Sequence, residues 1–215
     1  MYHKRIEKFP DDFLFGAGTS SFQVEGGIKE GGRGIAVHDL KKPKKGITDF
    51  SVASDHYHRF EEDIELMKEL GLNSYRFSIS WVRILPDGKN INKVGLDFYN
   101  RLIQKLTDSG IEPIVTIYHF EYPKALVDKY KGWLSRESIE DSVNFAGILF
   151  SNYGDRVKYW LTINEQDHLL KIPERLGFPD EMTGLEYERN AQTANYNMCV
   201  AAAKVTKLCH KMIPG

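Results

Sequence analysis

A chain of 215 residues is long enough for one sizeable core, and 29 Lys and Arg against 30 Asp and Glu leave a net charge of -1. That balance excludes a global field drawing the chain to nucleic acid or to an anionic membrane surface. The 41% hydrophobic and 27% charged residues exclude a disordered chain, and no run of about 18 apolar residues offers a membrane span.

The first ten residues lack the apolar stretch of a secretory leader. A first strand is predicted over Phe13 to Ala17, followed by a long Gly-rich loop that carries Gln23 and Glu25. From Asp55 to Leu70 the spacing of Tyr57, Phe60, Ile64 and Met67 marks one face of a helix, and Gly71 stops it. A second strand, Ser74 to Ser80, leads to a helix near Leu96 to Ser109 with Tyr99, Leu102, Ile103 and Leu106 as its buried stripe and Gly110 as its stop. A third strand, Pro113 to His119, is followed by a helix from Ser135, read as its N-cap, to Gly154. The fourth strand spans Tyr159 to Asn164, and its helix fills Glu186 to about Met212 after an irregular polar stretch. Cys199 and Cys209 fall on this last helix, ten residues and so roughly 15 Å apart. That is too far for a disulfide, so both are read as core-facing thiols in a reducing cytoplasm.

Short β-branched or aromatic runs alternating with helical segments specify parallel strands joined by helices. The fold class is therefore α/β, and the units number four: the first half of a (β/α)8 barrel, occupying residues 1–215 as a single partial domain that ends before a fifth strand. Four such strands leave two unpaired edges and an apolar inner face, so self-association or a second half-barrel is expected.

In barrels of this kind the active site lies at the C-terminal strand ends. Polar residues gather there: Ser80 after strand two, His119 after strand three, Asn164 and Glu165 after strand four. Alone, His119 reads as a core histidine and Asn164 as a strand end. On adjacent strand ends they point to a site. Arg76 lies within strand two, where a buried cation needs an anionic partner, unless the strand register turns it outward. No metal site and no cofactor are expected. His56 and His58 stand about 200° apart on a helix. The loop Gly31 to Gly34 lacks the Lys-Ser/Thr ending of a phosphate loop and reads as a flexible connector. Gly16-Ala-Gly18 has Ser21 in place of a third glycine, and the run 41–45, with four lysines, reads as a solvated loop.

The segments Phe13–Gly26, Ala53–Ile64, Tyr75–Pro86 and Thr162–Glu165, in that order, resemble glycoside hydrolase family 1, the β-glucosidases and 6-phospho-β-glucosidases. The resemblance covers essentially the whole chain. It implies a retaining O-glycosyl hydrolase of carbohydrate metabolism, with Gln23, His119 and Asn164 bonding sugar hydroxyls in the glycone subsite. It implies that Arg76 supports the nucleophile carboxylate and that Glu165 is the acid/base, a role needing a carboxyl that gives and then takes a proton. The nucleophile lies in the family's second half, so this chain is expected to be inactive alone. Two positions depart from the family pattern: Gln166 replaces the usual Pro after Asn164-Glu165, and Phe120 replaces the usual Trp after His119. Tyr118-His-Phe-Glu-Tyr-Pro resembles the 6-phospho branch. Glu121 as a substitute nucleophile is disfavoured and read as a plain loop residue. The alternative to an enzyme is a catalytically silent sugar-binding or interaction protein, or a truncated fragment.

Overall fold

Alternating β-branched and aromatic residues form four short parallel strands, and the longer helical-period segments between them carry the chain back across one face. A computed structural model of the chain describes residues 8–40, 46, 48–172, 176 and 184–213. The sheet is ordered β1 (Gly16–Gly18), β2 (Ser74–Ser78), β3 (Glu112–Tyr118), β4 (Tyr159–Ile163), so neighbours in sequence are neighbours in space. Every pair is parallel, with Arg76 in register with Gly18 and Ile114, and Thr116 with Leu161. The connecting helices are α2 (His56–Glu69), α4 (Lys93–Asp108) and α6 (Glu137–Tyr153), and the last described helix, α8 (Gly184–Met212), follows β4 and packs on α6. This is the half-barrel that the residue pattern specifies.

The long helices form where their apolar stripes fall. Helix α4 starts where the Asn92 side chain accepts a bond from the Val94 N–H at 3.2 Å, and it buries Phe98, Tyr99, Leu102, Ile103 and Leu106. Gly110, at φ +71, ends it in the left-handed conformation that a glycine adopts without strain. Helix α6 begins two residues later than Ser135: the Ser135 carbonyl accepts the Ser138 hydroxyl at 2.6 Å, and no side chain caps the start. The segment Phe13 to Phe15, expected as strand, lies outside the ladder. The Asn73 side chain bonds its backbone instead, accepting from Phe15 N at 2.7 Å and donating to Phe13 O at 2.9 Å.

Short helices absent from the sequence reading occupy the strand-to-helix loops: α1 (Ser21–Val24), α3 (Trp81–Ile84), α5 (Lys124–Tyr130) and α7 (Gln166–Leu169), with 3-10 turns at Val37–Leu40 and Gly132–Leu134. Four-residue helices show too little periodicity to be read. The core fills the space between the sheet and the long helices. At its centre the Trp81 ring stacks on Phe145 with centroids 4.7 Å apart, and Tyr122 lies edge-on at 5.4 Å.

Among the described residues the opposite face has no such cover. All three residues of β1 are exposed, Tyr159 and Leu161 of β4 are 47% and 37% exposed, and the rings of Phe9, Phe13 and Phe15 cluster in solvent beside β1. Because Trp81 is almost fully buried among aromatic neighbours, Trp81→Ala is expected to remove about 3–5 kcal/mol of stability. A urea unfolding midpoint unchanged from the parent would contradict this packing account.

Candidate active site

Arg76 turns to the open inner face rather than outward. Its Nε donates to Thr116 Oγ1 at 3.0 Å and its Nη2 to Asn164 Oδ1 at 2.5 Å, so one guanidinium joins β2 and β3 to the end of β4. The anionic partner expected for this cation is not found: among the described residues its side-chain partners are a hydroxyl and an amide, both neutral. Half-burial on an open face lets water complete its solvation.

Asn164 is buried and donates its backbone N–H to Tyr118 O at 2.9 Å, extending the ladder by one residue past β4. Glu165 follows in the left-handed region, at φ +41 and ψ +56, at the head of α7. At the end of β3 the pattern repeats: His119 is half-buried and Phe120 stands at φ +67. A residue other than glycine in this region carries roughly 1–2 kcal/mol of strain, and strain of this kind concentrates where geometry serves function. Both strained residues directly follow a residue assigned to the site by resemblance.

The His119 ring lies 6.0 Å from Phe22 in α1 and 4.9 Å from Phe120. Gln23, next to Phe22, is exposed, and its Oε1 accepts the Ser20 hydroxyl at 2.5 Å. The structure thus brings Arg76 and Asn164 into direct contact, sets Glu165 beside Asn164, and places the helix bearing Gln23 against His119. Glu165 itself is exposed, on the face of the sheet that the helices leave open.

Gln166, where the family usually has Pro, begins α7 and ties it to α8. Its Nε2 reaches Asn195 Oδ1 at 2.6 Å and Cys199 Sγ at 3.2 Å, bonds that a proline could not make. Cys199 is therefore an exposed thiol on the side of α8 facing α7, not the core-facing residue expected, while Cys209 is partly buried with its thiol pKa pushed up by that burial.

Nothing in the residue pattern marks the buried ionic network beneath the loop after β1. Glu121, read as a plain loop residue, is buried; its Oε1 accepts Arg33 Nη2 at 2.9 Å and Ser80 Oγ at 2.9 Å, and its Oε2 accepts the Ser21 hydroxyl. Arg33, read as part of a flexible connector, also grips Asp39 at 2.7 Å, and Asp39 accepts the Ala36 N–H at 2.8 Å. Close approach explains the glycine beside it: a Cβ on Gly34 would come within 2.0 Å of the Pro86 carbonyl. A second group joins Glu25 to Arg83 at 3.1 Å and to the Tyr99 hydroxyl at 2.6 Å, so Glu25 lies in the interior while Gln23, two residues earlier, is exposed. Burial pushes the Glu25 carboxyl up, against the pull of Arg83 and the bond from Tyr99. These networks pin the loop that carries Gln23 against the ends of β2 and β3.

The family model described as glycosyl hydrolase family 1 matches residues 5–215. The chain belongs to glycosyl hydrolase family 1. Among family relatives, it is 51% identical over 162 residues to beta-glucosidase 6 of Oryza sativa subsp. japonica, a match covering 73% of this chain and 31% of that one. It is 42% identical to the aryl-phospho-beta-D-glucosidase BglC of Bacillus subtilis (strain 168), over 100% of this chain and 46% of that one. The family 1 b-glucosidase from Thermotoga maritima superposes with a TM-score of 0.88 at 40% identity, covering 99% of this chain and 48% of that structure. The chain spans less than half the length of these relatives, in keeping with the half-barrel. Among the described residues no helix is long and apolar enough to cross a membrane.

Burial opposes the charge on Asp39, but the bond and charge of Arg33 outweigh it and hold the carboxyl below its ordinary value. A carboxyl depressed in the folded state contributes stability above its unfolded value of about 4, and that contribution is lost as pH falls through the folded value. Asp39→Asn is therefore expected to unfold more easily at pH 7, by about 3 kcal/mol, and to show a shallower loss of stability below about pH 4. Parallel acid limbs for parent and variant in urea titrations would contradict the pairing.

Proposed function

We propose that the chain supplies the acid/base half of a retaining β-glycosidase site, hydrolysing a β-glucoside or a 6-phospho-β-glucoside once a second half-barrel completes it. In this reading Glu165 is the acid/base: it protonates the glycosidic oxygen as the aglycone leaves, then takes a proton from the water that releases the sugar. Gln23, His119 and Asn164 bond sugar hydroxyls, and Arg76 supports the carboxylate nucleophile that stands about 5–5.5 Å from Glu165 in a retaining enzyme. The observation that carries the reading is the Arg76 to Asn164 bond, which draws a cation with unspent donors up to the residue preceding Glu165, at the C-terminal end of the sheet.

Residues 1–215 act in this reading as one partial domain without the nucleophile, so the chain alone is silent. Similarity to a relative named for aryl-phospho-glucosides, over the whole of this chain, supports keeping the 6-phosphate among the substrates. The remaining wall comes from a second half-barrel, made separately or as a continuation, or from self-association. Two free thiols support a reducing, cytoplasmic setting. The exposure of Glu165 favours one other reading, a silent sugar-binding protein that keeps the hydroxyl contacts without turnover.

The test is hydrolysis of an aryl β-glucoside and of its 6-phosphate. The purified chain is expected to show none. Combined with the separately expressed second half of a family member it is expected to turn over, with Glu165→Gln lowering the rate by a factor of about 10² or more. Equal rates from parent and variant would overturn the assignment, and sugar binding without turnover in the combined sample would favour the second reading.

A further inference from the structure

The backbone of Glu165 is held between two neighbours. Before it, Asn164 donates its backbone N–H to Tyr118 O at 2.9 Å and accepts Arg76 Nη2 on its side chain, so the chain is fixed up to the residue preceding Glu165. Glu165 then takes the left-handed conformation, and its side chain makes no capping bond to α7. A residue other than glycine stays in this region only where the surrounding structure holds it there. On the far side that hold begins at Gln166.

Helix α7 cannot supply the hold by itself. It has four residues, a single turn, and a turn that short is not stable without tertiary contacts. Side chains fasten it to α8 at each end. At its start the half-buried Gln166 donates from Nε2 to Asn195 Oδ1 at 2.6 Å and to Cys199 Sγ at 3.2 Å, an acceptor for each of the two amide hydrogens. At its end the Tyr187 hydroxyl donates to Leu170 O. Asn195 and Cys199 stand four residues apart on α8 and so share one face of it, one turn above the other. A proline restricts the residue before it through its ring. Glutamine sets no such limit, and its side chain is what ties the backbone next to Glu165 to the last helix.

We propose that Gln166 is a positioning residue for Glu165: its clasp on Asn195 and Cys199 fixes the strained Glu165 backbone, and with it the direction in which the carboxyl is offered. Gln166 acts through Glu165 and not on the substrate. Its effect on turnover rests on the reading above that Glu165 is the acid/base, whereas its effect on the Glu165 backbone does not. In that reading the Glu165 proton passes to the glycosidic oxygen as the bond to the sugar breaks, and the bonding pair stays on that oxygen. An aglycone that leaves poorly depends on this proton, and one that leaves well does not. A misdirected carboxyl therefore penalises the poor leaving group, while a general loss of folded protein lowers the rate with both alike.

The test compares the unaltered chain with Gln166→Ala, Asn195→Leu, their double variant and Asn195→Asp, with far-UV circular dichroism confirming the fold of each. In each chain alone, nuclear magnetic resonance reads the intraresidue contact between the Glu165 amide and α hydrogens, which is closest in the left-handed conformation. Gln166→Ala and Asn195→Leu are expected to weaken that signal, and Asn195→Asp, which keeps the acceptor, to retain it. The double variant is expected to lose no more than Gln166→Ala, because Asn195 acts through Gln166. Each chain is then combined with the separately expressed second half of a family member and given a phenyl and a 2,4-dinitrophenyl β-glucoside, plain or 6-phosphorylated as the parent accepts. Gln166→Ala is expected to lower kcat/KM for the phenyl glycoside by a factor of about 10 and to leave the dinitrophenyl glycoside close to the parent. An unchanged Glu165 signal in Gln166→Ala, additive losses in the double variant, or an equal loss with both substrates overturns the proposal. A combined parent that turns over neither glycoside counts against the functional reading alone, and the Glu165 signal then decides the clasp.

Discussion

A parallel sheet has to be covered on both faces, and among the described residues helices cover only one. Much else follows from that constraint. The apolar side chains between sheet and helices form a dense aromatic core around Trp81, while those on the other face and at the edges, from Phe13 and Phe15 to Tyr159 and Leu161, remain in solvent. The same openness leaves Arg76 half-buried with neutral partners, and leaves Glu165 exposed at the end of β4.

What the half-barrel does contain is rigidly set. The loop carrying Gln23 is not held by its own helix of four residues but by buried charges beneath it, Arg33 with Asp39 and Glu121, and Glu25 with Arg83. Buried pairs of this kind add little net stability over apolar packing, yet removing one partner strands the other. Their effect is to fix where the loop sits. Backbone strain at Phe120 and Glu165 falls one residue beyond His119 and Asn164, so the chain turns sharply just past the C-terminal ends of β3 and β4.

The sheet order and the long helices were legible because their signals repeat: Leu102, Ile103 and Leu106 recur at helical spacing, and Val115 and Ile117 at strand spacing. The roles of Gln23, Arg76, His119, Asn164 and Glu165 came only from the resemblance of the motifs that hold them; the Arg76 to Asn164 bond is a contact across two strands that no local pattern marks. The ionic network was illegible because its long-range pairs, Glu25 with Arg83 and Arg33 with Glu121, are 58 and 88 residues apart in sequence and each charge, alone, resembles a surface charge. Gln166 and Cys199 escaped for a related reason. Their contact depends on how α7 meets α8, a tertiary fact that local periodicity does not encode. The first strand begins later than expected because the Asn73 side chain takes up Phe13 O and Phe15 N, and only Phe15 O meets the backbone at the start of β2.

The central claim is that the chain is the first half of a barrel whose uncovered edges are β1 and β4. Amide hydrogen exchange, residue by residue, on the chain alone and after it is combined with the separately expressed second half of a family member, tests it most directly. The account predicts slow exchange in both samples for the β2 and β3 amides bonded within the sheet. For Gly18, Leu161 and Ile163 it predicts fast exchange in the chain alone and protection in the combined sample. Protection of those three amides in the chain alone, or fast exchange in both samples, would contradict it.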